Sequence, residues 1–256
     1  MLLRSVTKHV KDQNWFAVFL DFIIVVFGVY IGLQVQGWAN EKNRLNSEQQ
    51  YLQRLHDEVQ QLADTRAIYD DTRKRNSKAL FKISELINEE DSETSLSDEQ
   101  CRTIAHSSYT TIPPAELPSA TELISSGRLD QIASAELRNS ILRYIQDVAR
   151  VRDLISAISD SNIDLSRTNP ELIKVKLFQR EYMRDTVDLI ATCDVNALRQ
   201  SPAFINDFNN NAYMYVVYTE RGVLKVSQKL AELHTELDKV LEIKHPTNTN
   251  DKEDTP

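Results

Sequence analysis

Histidine, cysteine and carboxylate side chains can hold metals or move protons, so their spacing in this chain is the first question. The histidines are His9, His56, His106, His234 and His245. None stands in a His-Glu-x-x-His zinc pattern. His56-Asp57 is a lone pair without the further ligands of a metal phosphohydrolase, and Glu232-Leu233-His234 puts its donors on differently facing positions of a helix. Di-iron bundles need Glu-x-x-His pairs on two facing helices, a set this chain does not supply. A Gly-x-Ser-x-Gly elbow, a phosphate loop and a dinucleotide fingerprint are all missing, and a chain with only five glycines has little from which to build a phosphate cradle. Glu89 to Glu99 is acidic but lacks the calcium-loop pattern and its central glycine, and reads as a solvated turn. These residues lead us to expect no catalytic group, no metal ligand and no cofactor. Cys101 and Cys193 have no metal-ligand spacing and are a candidate disulfide if the compartment is oxidising.

A carboxylate in an apolar run is the next feature. From Trp15 to Leu33 the chain is apolar except for Asp21. On a helix, Trp15 and Trp38 would stand roughly 35 Å apart, which suits two indoles at opposite faces of a bilayer core about 30 Å thick. The Phe, Val, Leu and Ile residues contribute about −6 kcal/mol to insertion, against about +3 kcal/mol for a central aspartate. Residues 15–38 are therefore expected to be a transmembrane helix. Gly37-Trp38-Ala39 faintly resembles a signal-peptide cleavage site, but the run exceeds the ~7–15 residues of a signal core. Arg4, Lys8 and Lys11 before the span slightly outweigh Lys42 and Arg44 after it, so residues 1–14 are expected in the cytoplasm and the body outside it.

At ~100° per residue, Asp21, Val25, Gly28, Gly32 and Gln36 share one stripe. Gly28-Val29-Tyr30-Ile31-Gly32 is a GxxxG match, through which two helices approach closely. Asp21 could snorkel to the interface, but aspartate is short; a proton path would need a second relay group. Our reading is a helix–helix contact through Asp21, Gly28, Gly32 and Gln36, with another membrane protein or a second copy.

Residues 39–244 read as an all-α antiparallel helical bundle. Leu45, Leu52, Val59, Leu80 and Ile87, with Leu55, Leu62, Tyr69 and Ile83, form a heptad seam of coiled-coil type interrupted at Arg66, Arg73 and Asn76. Ser97 with Gln100 is a capping box. Ser119 is expected to open a short helix that Gly127 closes, and Ser134 caps a helix running through Leu137, Ile141, Tyr144 and on to Ile158. Asn169-Pro170 is read as a cap with proline at the first helical position, opening a helix through Leu177 and Met183. Ser201-Pro202 repeats that signature before a helix to about Ile243. No strand is expected, and the polar tail at 245–256 is expected to be disordered. Phe204, Phe208, Tyr215, Tyr218 and Gly222 share a stripe. An aromatic stripe is ordinarily core; the functional alternative is a pocket lined by these aromatics with Tyr144 and Tyr182.

DFIIVVFGVYIGLQVQGWANEKN followed by YLQRLHDEV resembles the opening of an uncharacterised bacterial family of small membrane-anchored helical proteins, a domain of unknown function. ELISSGRLDQI and ELRNSILRYI resemble a second stretch of that family. Gly32 stands where alanine is usual, and Gln36-Gly37 replaces paired asparagines. The resemblance implies a single-pass, membrane-anchored helical protein of bacteria and no chemistry; taken with the charge bias of the flanks, the expected place is the inner membrane with a periplasmic body. A net charge of −8 without a basic stripe argues against nucleic acid. Two function classes remain: an interaction protein working through its membrane helix, and a small-ligand sensor signalling through a partner.

Overall fold

The computed structural model describes residues 15–89, 95–179 and 187–244. Tyr182, Met183, His9, His245, the N-terminal 1–14 segment and the 245–256 tail lie outside the described residues. The chain divides into two units, Met1–Leu52 and Gln53–Pro256.

Helix α1 runs from Trp15 to Asn88 without a proline. Along the apolar run of this helix large side chains are exposed, among them Phe22, Val25, Phe27, Val29, Ile31 and Leu33. This is one helix long and apolar enough to cross a membrane. Past the apolar run, Arg44 holds Glu41 and Glu48 across single turns, a solvated helix face stabilised locally.

The second unit is a helical bundle. Its helices are the remainder of α1, α2 (Asp98–Ala105), α3 (Pro118–Ser125), α4 (Ala135–Ser161), α5 (Leu165–Thr168), α6 (Val195–Arg199), α7 (Pro202–Val217) and α8 (Leu224–Leu241). Most boundaries follow from local chemistry. Ser97 and Gln100 complete a reciprocal capping box on α2. Ser134 caps α4 through the Leu137 amide, and Ser201 caps α7 ahead of Pro202. Gly127 takes φ +68°, as a helix-ending glycine must. Ser119 is not the cap of α3: the helix starts at Pro118, and Glu58 of α1 accepts from the Ser119 amide and hydroxyl at 2.9 and 2.6 Å.

One expectation fails. The segment after Asn169-Pro170 is not a helix but strand β1 (Ile173–Gln179), paired antiparallel with β2 (Val187–Cys193) from Ile173↔Cys193 to Gln179↔Val187. The body is thus a helical bundle bearing a β-hairpin, not purely α. Ile-Lys-Val-Lys-Leu alternates with period two, and that pattern outweighs the local cap signature. Burial fades along one face of β1, from Ile173 at 1% exposed through Val175 at 42% to Leu177 at 79%. The base of the hairpin is therefore what the core holds. Cys193 closes it there, bonded to Cys101 of α2.

Between α7 and α8 the helix widens into a π turn, Tyr218–Val223. Gly222 faces Ile155 of α4, whose Cγ1 would lie 3.4 Å from a Cβ built there, an ordinary packing distance. The heptad seam of α1 is buried inside the bundle at Leu55, Val59, Leu62, Leu80, Ile83 and Ile87, whereas Leu45 is exposed. The interruption at Arg66 is buried too, at 1% exposed. Its guanidinium donates to the Pro114 and Val223 carbonyls and the Ser227 hydroxyl, and Asp70 lies at 3.4 Å. Burial pulls its pKa down, and the Asp70 charge opposes that.

Two outcomes follow for stability. Arg66→Met leaves two carbonyls without their donor and Asp70 without its cation, and thermal unfolding of the full chain should show a loss of about 3 kcal/mol. Arg66→Lys should recover little of it, because an ammonium cannot reach acceptors on several sides. Reducing the Cys101–Cys193 bond, which closes a loop of 92 residues, should cost about 4 kcal/mol, read as a lower denaturant midpoint with reductant than without.

Candidate functional site

Three features of the molecule bear on function. The first is the exposed stripe of α1 in the membrane-length unit. Gly28 and Gly32 have open space where a Cβ would point, and Gln36 is exposed. Among the described residues nothing covers these glycines, so the stripe is available for close approach by another helix. Asp21 lies in α1, with its side chain outside the described set.

The second feature is a polar belt through the bundle, built on the residues that break the heptad seam. Tyr69 and Tyr218 share a hydroxyl–hydroxyl hydrogen bond of 2.8 Å, and each hydroxyl lies 2.8 Å from the Thr111 carbonyl. Arg73 donates to the Tyr218 hydroxyl at 3.2 Å and to the Thr111 hydroxyl at 2.8 Å, while lying over the Tyr69 ring at 4.5 Å. Asn76 donates to the Tyr215 hydroxyl at 3.3 Å. Burial pushes the Tyr218 hydroxyl up to about 12, helped by its bond with Tyr69, so it remains a neutral donor.

This arrangement places the residues that sequence reasoning offered as a pocket. Tyr144, Phe204, Phe208, Tyr215 and Tyr218 are all buried, and Tyr182 lies outside the described residues. Phe204 stacks on Phe208 at 6.2 Å, and Tyr215 meets Tyr218 edge-on at 5.3 Å. The Tyr144 hydroxyl donates to the Ala115 carbonyl. These rings pack as core, and their hydroxyls are engaged by the protein. Tyr215 borders a half-open polar cleft of about 230 Å³ beside the belt. Arg73, Asn76, Arg102, His106 and Thr111 also line it. Arg102 is braced from outside by Asp188 of β2 at 3.1 Å.

The third feature is one that sequence reasoning missed. His56 of α1 meets His234 and Asp238 of α8: Nε2 of His56 lies 3.0 Å from Asp238 Oδ1 and 3.1 Å from His234 Nε2. His234 Nε2 stands 3.6 Å from the same carboxylate oxygen. The spacing of His234 and Asp238, one helical turn apart, was the available signal. His56 stood out only as a lone pair with Asp57, and nothing in the sequence joined it to His234, 178 positions away. The chain matches no family model, no curated protein and no solved structure. Function must therefore be argued from these three features themselves.

The cleft makes one pH prediction. Burial lowers the pKa of His106, and the neighbouring Arg102 charge lowers it further, against weaker opposing effects of Asp188 and Asp164. The folded protein thus holds His106 neutral where the unfolded chain, near 6.5, already binds a proton. Its contribution to stability is fully present above about pH 6.5 and is lost as pH falls from there through the lower folded pKa. His106→Gln should flatten this part of a stability–pH profile, and an imidazole titration by NMR should place His106 below the ordinary value.

Proposed function

We propose that this is a non-enzymatic membrane-anchored protein that acts by helix–helix contact with another membrane protein or with a second copy of itself. The observation that carries the reading is the first unit of α1, where a run of membrane length exposes its apolar side chains and leaves Gly28 and Gly32 uncovered. In water such a surface would drive aggregation, whereas in a bilayer it is the normal state of a span. Asp21 supplies the reason for a partner: a short carboxylate among lipid-facing residues gains most from a donor on an adjacent helix. The Cys101–Cys193 bond supports a body on the oxidising side of the membrane, which for a bacterium is the periplasm. The resemblance of the opening segment to single-span bacterial proteins points the same way.

A second reading has its own observation. The cleft beside Arg73, Arg102 and His106 has the cations and hydroxyls to receive a small anionic ligand, which would make the bundle a sensor acting through a partner.

Crosslinking in native membranes, followed by purification of the wild type and Asp21→Leu at matched expression, separates these. The interaction reading expects one membrane protein, or a dimer of this chain, recovered with the wild type and reduced about tenfold or more in the variant. Equal recovery from both would sink it. A rise in melting temperature with small carboxylates, abolished by Arg73→Gln, would favour the sensor.

A further inference from the structure

We propose that His56, His234 and Asp238 form a binding site for a divalent transition-metal cation, Zn²⁺ by its donor chemistry. The inference stands apart from the membrane contact, because every ligand belongs to the helical bundle.

The geometry makes the case in three steps. The first concerns protons. A ring nitrogen carries either one hydrogen or one lone pair. Nε2 of His56 faces a carboxylate oxygen at 3.0 Å and another imidazole nitrogen at 3.1 Å. With a hydrogen it must divide that hydrogen between two acceptors; without one it sets its lone pair against the carboxylate. A cation among the three atoms receives a lone pair from each, and no contact is compromised.

The second step is distance. Donors about 2.1 Å from a tetrahedral zinc lie about 3.4 Å from one another. The three separations here, 3.0, 3.1 and 3.6 Å, bracket that value, so a small inward or outward adjustment of side chains completes the set.

The third step is access and choice of ion. His56 is walled in, with 6% of its side chain exposed, whereas His234 and Asp238 keep 25% and 19%. Cations can therefore enter from the solvent side, where a water completes the coordination. Two imidazoles and one carboxylate suit zinc and its neighbours, not the hard oxygen-seeking Mg²⁺ or Ca²⁺. Once bound, the ion ties α1 to α8, elements far apart in the chain, and its binding free energy adds to that of the fold.

The test uses the full chain in detergent micelles, free of any polyhistidine tag and stripped with chelator. Titration with Co²⁺ should produce the intense visible bands of a four-coordinate site at one ion per chain, and Zn²⁺ should erase them by displacement. His234→Gln and the isosteric Asp238→Asn should each weaken Co²⁺ binding by about tenfold or more. His106→Gln should leave it unchanged, which excludes the cleft histidine. Zn²⁺ should raise the melting temperature of the wild type but not of either ligand variant, while Mg²⁺ should move neither. Helix content and the oxidised Cys101–Cys193 pair, measured in parallel, establish that the variants are folded. Absence of a four-coordinate spectrum, or equal affinity in the wild type and the ligand variants, would overturn the proposal.

Discussion

A charged guanidinium with almost no water around it is the constraint on which the bundle is organised. An arginine cannot shed its charge by deprotonation, so burying Arg66 obliges the fold to surround it with acceptors. Those acceptors come from four places: Asp70 one turn on, the Pro114 carbonyl, the Val223 carbonyl and the Ser227 hydroxyl. Ser227 also donates to Asp70, closing the ring of partners. The prolines after α2, the π turn and the start of α8 are thereby fixed against one point of α1. The π turn has a reason in these terms, since it brings the Val223 carbonyl to the guanidinium.

Arg66 also shows how one long helix can hold a register. Leu55, Val59 and Leu62 on one side of it, and Leu80, Ile83 and Ile87 on the other, are interchangeable apolar knobs that would tolerate a shift by one turn. The belt of Arg66, Tyr69, Arg73 and Asn76 would not. Moving it by a turn would strand a buried cation and several hydroxyls at a cost of several kcal/mol. Apolar layers supply the driving force, and the polar layer between them selects one alignment. The pairing of His56 with His234 and Asp238 is a second such mark on the same two helices.

What the sequence disclosed and what it hid divide along one physical line. Caps at Ser97, Ser134 and Ser201, and the left-handed glycine at 127, depend on neighbours within four residues, and they could be read directly. The membrane-length helix depends on composition and was equally plain. At Asn169-Pro170 the same local reasoning failed, because two signals competed and the alternation Ile173, Val175, Leu177 decided the structure. The belt was visible only in negative, as Arg66, Arg73 and Asn76 spoiling a heptad seam. Their partners at Thr111, Tyr215, Tyr218, Val223 and Ser227 lie far along the chain, where no periodicity connects them. His56 was hidden for the same reason, since a cluster drawn from α1 and α8 leaves no spacing to detect. The aromatic stripe of α7 was legible as a stripe, but whether it lined a pocket depended on what α1 placed opposite it.

The hairpin brings these threads to the cleft. A two-stranded sheet is marginal on its own, and the tip of this one exposes Leu177 and Phe178 rather than burying them. Burial of Ile173 and Ala191 and the Cys101–Cys193 bond hold it near the base, and the pair of Arg102 with Asp188, opposite Phe178, holds it toward the far end. The last is half-exposed and worth at most about 1 kcal/mol by itself. Arg102 is at the same time a wall of the polar cleft. One guanidinium therefore serves both the hairpin and the cavity, and an anion in the cleft would compete with Asp188 for it. The covalent bond, one residue away in α2, is what keeps the hairpin in place when that competition is strongest.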